Sequence, residues 1–133
     1  KPGGILAFST WPKELFMGKF FKLIESFSQP LPPGVASPVL WGDMAVIEER
    51  LKDHFNQIEF GRDTMFAPTM SPAHMLKLFE KNAGPLANLV KALANDPTKL
   101  NNLRNAVLEL IENFFSDNFL RQDFLMTRCV KKT

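Results

Sequence analysis

The chain has 133 residues with a hydrophobic share of 45%, enough for one core, and no apolar run approaches membrane-spanning length. Its net charge of +2 comes from scattered basic residues, so no basic stripe points to nucleic acid, and Lys131-Lys132 reads as a solvated tail. A single cysteine, Cys129, excludes an internal disulfide and lies in an apolar stretch, as a buried thiol would; with no signal-peptide pattern at the start, the expectation is a cytoplasmic protein.

Lys1-Pro2-Gly3-Gly4 predicts a tight turn, and Ile5-Leu6-Ala7-Phe8 a short strand. A strand apolar at every position suits one covered on both faces, with neighbours supplied by sequence before residue 1. The expectation is therefore the C-terminal part of a larger α/β protein. Ser9-Thr10-Trp11-Pro12 ends the strand. From Lys13 to about Phe27, the apolar residues Phe16, Phe20, Leu23, Ile24 and Phe27 recur at helical spacing. The proline-rich segment from Gln29 to Gly34 stops that helix, because proline removes a donor and clashes with the preceding turn.

Asp43 is a cap for a helix whose Met44, Ile47, Leu51 and Phe55 share one face. Alternation from Ile58 to Phe66 predicts an edge strand. Ser71-Pro72 and Asp96-Pro97 each place a cap ahead of proline at the first helical position. Asn82-Ala83-Gly84-Pro85 interrupts the first of these helices, and the helical period resumes from Leu86 to Leu93. The second carries Leu100, Leu103, Val107, Leu110, Ile111 and Phe114 on one stripe. A last strand, about Arg121 to Val130, has Phe124-Leu125-Met126 in a row and reads as internal to a sheet. The first and last strands read as central and the middle one as an edge. The predicted spatial order is first, last, middle, with the last antiparallel to both.

Three stretches carry a family resemblance. Lys1-Pro2-Gly3-Gly4-Ile5-Leu6 matches an L-x-P-G-G-x-L turn from its second position onward. Ser37-Pro38-Val39-Leu40-Trp41-Gly42-Asp43 matches S-P-x-x-W-G-D, and Ser71 to Phe79 matches S-P-x-x-x-x-x-x-F. Together these resemble the C-terminal half of a class I S-adenosylmethionine-dependent methyltransferase, of the small-molecule group related to ubiquinone biosynthesis. The resemblance covers essentially all of residues 1–133 and implies part of a seven-stranded Rossmann-like sheet: three strands, an antiparallel last strand inserted centrally, and four to five helices. It implies one substrate-side part of a methyltransferase domain whose cofactor-binding half lies elsewhere. A cofactor-binding glycine loop follows a strand and opens a helix, whereas Gly3-Gly4 precedes one. S-adenosylmethionine is thus expected for the parent enzyme and not for this chain alone. In that family one in-line displacement moves the methyl group, so positioning and exclusion of water supply most of the catalysis.

The expected acceptor-binding residues are Ser9, Thr10, Trp11, Trp41, Phe66 and Met70. The first three lie at the carboxyl end of the first strand, where open α/β sheets bind ligands. Trp11 and Trp41 serve either as substrate walls or as packing, and Phe66 and Met70 either face the acceptor pocket or fill the core. His74, in the first turn of a helix, is the one candidate general base. Neither it nor His54 has cysteine partners at metal spacing, so no metal is expected. Two other functions fit the same residues: an interaction or dimerisation module, and a hydrophobic-ligand-binding domain. The partners expected are a small-molecule methyl acceptor and, through the exposed first strand, a second copy; neither nucleic acid nor membrane is expected.

Overall fold

A computed structural model describes residues 1–133 as an α/β chain with five helices and a four-stranded antiparallel sheet. In chain order the elements are β1 (Ile5–Thr10), α1 (Phe16–Phe27), a 3-10 turn (Pro38–Gly42), α2 (Met44–Leu51), β2 (Phe55–Pro68), α3 (Pro72–Asn82), α4 (Gly84–Ala92), α5 (Pro97–Glu112), β3 (Phe115–Ser116) and β4 (Phe119–Lys131). No helix is long and apolar enough to cross a membrane.

The sheet order is β1-β4-β2, as expected from the sequence, with β4 antiparallel to both neighbours, as the family resemblance implies. The short β3, not foreseen, folds back on the start of β4 through Asp117 and Asn118, both at positive φ. Such residues tolerate the left-handed turn because their short polar side chains can hydrogen-bond locally.

Within residues 1–133 β1 has no second neighbour, as expected of a strand whose cover is assigned to sequence before residue 1. This strand pairs on one side only, and Ile5 is 62% exposed. The register sets Leu6, Phe8 and Thr10 beside Cys129, Thr127 and Leu125, which are fully buried. Ile5, Ala7 and Ser9 point to the opposite, open face. An all-apolar strand therefore sits at an edge with one face covered, and Met126 of β4 is likewise exposed on the open side. Only β4 is central.

Three helix starts match their sequence signals. Asp43 Oδ1 accepts from Ala45 N–H, Ser71 Oγ from His74 N–H and Asp96 Oδ1 from Lys99 N–H. Two stripes end earlier than their apolar spacing suggests: α2 stops at Leu51, and Phe55 opens β2 instead; α5 stops at Glu112 before the β3 turn. Helix α1 begins at Phe16, not at Lys13. The main core gathers Phe16, Phe20 and Ile24 of α1, Met75 of α3, Leu86 and Leu89 of α4, Leu103, Val107 and Ile111 of α5, and Leu120 of β4. Each fully buried side chain of this size contributes about 1.5–3 kcal/mol. The Phe16 ring centre lies within 6.1 Å of those of Phe20, Phe79 and Phe114. Arg104 pairs with Glu80 at 2.6 Å and ties α5 to α3.

Candidate functional site

Because β1 and β2 both run against β4, their carboxyl ends point the same way, β2 ending beside Phe119 at the start of β4 and β1 beside Leu125 at its middle. The chain leaves β1 through Trp11-Pro12-Lys13, and two glycines hold this segment. A Cβ on Gly18 of α1 would collide with Pro12 O, and one on Gly42 of the 3-10 turn with Trp11 O. Only a residue without a side chain permits so close a backbone approach. The two glycines thereby seat Trp11 and Trp41 near each other.

Ser9, Thr10, Trp11 and Trp41 line one cleft of about 210 Å³ together with Phe21, Pro38 and Val39. Trp41 meets Phe8 edge to face at 5.9 Å, and the Arg50 guanidinium lies 4.5 Å from the Trp41 ring centre, a cation–π arrangement. Trp41 nonetheless stays 37% exposed, so it is not a plug beneath its loop. The Thr10 hydroxyl is buried and has no hydrogen-bond partner.

Phe66 and Met70 do not join this cleft. Within residues 1–133 they are 59% and 75% exposed and take no part in the core. Met70 lines neither the tryptophan cleft nor the larger groove that contains Phe66. That groove encloses about 530 Å³ among Leu15, Phe66, Phe114, Phe115 and Phe119, with Arg121 and Asp123 on its polar side. Phe66 and Phe119 meet edge to face at 6.2 Å. A second hollow of about 360 Å³ shares Leu15, Arg121 and Asp123 and adds Arg62, Asp63 and Thr64, so the two form one trough.

The polar side of the trough is ordered by one carboxylate. Arg121 donates to Asp123 through Nε, at 3.0 and 3.1 Å, and through Nη2, at 2.8 Å. Thr64 Oγ1 donates to Asp123 Oδ1 at 2.6 Å. The Arg121 hydrogen bond holds the Asp123 carboxyl below the usual carboxylate range; Thr64 and the charges of Arg121 and Arg62 assist, against burial, which pushes it up. Such a group stays ionised and is a poor general base. Arg121 makes no hydrogen bond through Nη1 within the chain, and its side chain is more than half exposed. Nearby, Arg62 pairs with Glu14 at 3.0 Å.

His74 belongs to the cap of α3. Its Nδ1 receives the Met70 N–H at 3.4 Å and lies 3.0 Å from Thr69 Oγ1. An N–H can only donate, so Nδ1 is the acceptor of the Met70 bond. His74 lines neither the tryptophan cleft nor the aromatic trough. Cys129 is buried, and desolvation pushes its thiol up.

Of the residues expected from the sequence, Ser9, Thr10, Trp11 and Trp41 line one cleft and Phe66 lines the trough. Sequence reasoning missed Leu15, Phe119, Arg121 and Asp123. One signal was available: Arg121 and Asp123 are two apart on a strand and so share a face.

No protein-family model matches this chain. Uncharacterised proteins of Mycobacterium bovis and of two strains of Mycobacterium tuberculosis align with it at 20% identity over 133 residues. The alignments take in 99% of this chain and 48% of theirs, so the chain spans about half the length of the curated relatives it matches.

Proposed function

We propose that the chain is the acceptor-binding, substrate-side part of an S-adenosylmethionine-dependent methyltransferase acting on a small molecule. The observation that carries this reading is the sheet order β1-β4-β2 with an antiparallel final strand between the other two, which the family resemblance implies. The aromatic trough and the tryptophan cleft at the carboxyl ends of β1 and β2 support it further, since open α/β sheets bind ligands at that end.

The chain's own residues do not fit the methyl donor. Gly3, at φ 72°, and Gly4 close a turn ahead of β1 and do not open a helix after it. What these residues do is position the acceptor: Phe66 and Phe119 hold an apolar or aromatic body, Arg121 Nη1 meets an oxygen on it, and the surrounding phenylalanines exclude water. Ser9, Thr10, Trp11 and Trp41 form a second wall. Asp123, kept ionised, orients Arg121 and takes no proton. With His74 tied into a helix cap, the reading needs no general base from this chain.

A full-length mycobacterial relative, titrated calorimetrically with S-adenosylmethionine, should bind it at micromolar concentration, whereas the 133-residue chain should not. A relative without affinity for the donor overturns the reading. It would leave the trough as a hydrophobic-ligand site without methyl transfer, which its four phenylalanines also favour.

A further inference from the structure

The tryptophan cleft shares no lining residue with the trough, and its chemistry differs. The trough has charged groups along one side, whereas Trp11, Trp41 and Phe21 wall the cleft with no charged residue among its lining. Contacts internal to residues 1–133 hold these walls. Gly18 and Gly42 let two backbone segments close on Trp11-Pro12, Trp41 meets Phe8, and Arg50 lies over the Trp41 ring. The cleft lies beside the 3-10 turn, toward the face of β1 that carries Phe8 and Thr10. Strand pairing uses backbone groups in the plane of the sheet, so a neighbour along β1 does not enter that face.

One polar group of the cleft has nothing to bind. Thr10 is among its lining residues, and the Thr10 hydroxyl is buried without a hydrogen-bond partner. A hydroxyl in that state has lost its hydration and gained no bond in return. Thr127 carries the other such hydroxyl, but it is fully buried and lines neither the cleft nor the trough. Thr10 is therefore the one that a ligand in the cleft can satisfy. One staggered step about χ1 exchanges its methyl and hydroxyl positions and brings the oxygen to the cleft surface.

We propose that the cleft binds a small, flat, uncharged ring carrying one hydrogen-bond acceptor, a ring nitrogen or a carbonyl oxygen. The ring lies against Trp11 and Trp41, and the acceptor receives the Thr10 O–H. Aromatic walls favour a flat apolar partner, and a lining without charge would strip an ion of water and offer it no counter-charge. The cleft volume of about 210 Å³ sets the size at that of a small ring system. The proposal does not rest on the methyltransferase reading.

The chain has two tryptophans and both line this cleft, so their indole N–H resonances report on it alone. When the isotope-labelled chain is titrated with quinoline at neutral pH, both resonances should shift and saturate; Trp11→Phe and Trp41→Phe assign them. Thr10→Val keeps the shape of the side chain and removes the hydroxyl. It should weaken quinoline about ten-fold and leave naphthalene, the same ring system without the nitrogen, unchanged. Thr10→Ser should stay near the wild-type affinity for quinoline. Should Thr10→Val unfold, Thr10→Ala takes its place in the comparison. Quinoline binding that ignores the loss of the hydroxyl reduces the cleft to an apolar groove and overturns the proposal. A titration in which neither indole resonance moves overturns it as well.

Discussion

Thr64 of β2 and Asp123 of β4 are register partners, and the threonine hydroxyl donates to Asp123 Oδ1 at 2.6 Å. The same carboxylate holds Arg121, so a single acid joins two strands and aims a guanidinium along the trough. Its ionisation is therefore coupled to folding. The carboxyl is depressed in the folded chain, first by the Arg121 hydrogen bond. Its contribution is complete above the unfolded value of about 3.9 and is lost as pH falls through the lower folded value. Asp123→Asn should cost about 1–2 kcal/mol at neutral pH, a charge-assisted hydrogen bond discounted for the exposed arginine. Denaturant unfolding at a series of pH values checks this: the gap between wild type and variant should close under strong acid. A gap independent of pH would mean that packing, not charge, accounts for it.

Thr127 is fully buried between Phe8 and Phe60, its register partners on β1 and β2, and its hydroxyl has no hydrogen-bond partner. Replacing a buried unpaired hydroxyl by a methyl removes a desolvation cost while keeping the β-branched shape. Thr127→Val should raise stability by about 1 kcal/mol. A measured loss would show that the hydroxyl is solvated or bonded in solution.

Trp41 gains from Phe8 and from the Arg50 guanidinium at 4.5 Å, yet more than a third of it faces solvent. Trp41→Phe and Trp11→Phe keep most of the apolar bulk, so each should lower stability by only about 1 kcal/mol. Under the proposed function each should reduce turnover or acceptor affinity of the full-length enzyme. Wild-type kinetics in both variants would return the two tryptophans to a packing role.

Phe66 and Phe16 separate surface from core. Phe16 is fully buried amid three other rings, and Phe16→Ala should cost about 3–5 kcal/mol. Phe66 is 59% exposed, and Phe66→Ala should change stability by less than about 1 kcal/mol. Thermal melts compare the two directly. If Phe66→Ala proved as damaging as Phe16→Ala, the Phe66–Phe119 pair would be a folding element and not a ligand wall.

Local chemistry set much of this architecture from the sequence alone. Asp43, Ser71 and Asp96 start helices because a side-chain oxygen can satisfy a free N–H only there. The apolar row Phe124-Leu125-Met126 pointed to β4 as the inner strand, and β4 does lie between β1 and β2, although only Leu125 of the three is fully buried and Met126 faces the open side. Tertiary structure decided the rest. Phe55 fits a helical stripe as well as a strand, and pairing with Lys131 chose the strand. Phe66 and Phe119 look like core residues in a sequence, since hydrophobicity does not say which apolar side chain remains uncovered. Arg121 and Asp123 meet Thr64 only through a register that links residues 59 apart. Contacts of that span depend on how whole elements dock, which no local propensity encodes.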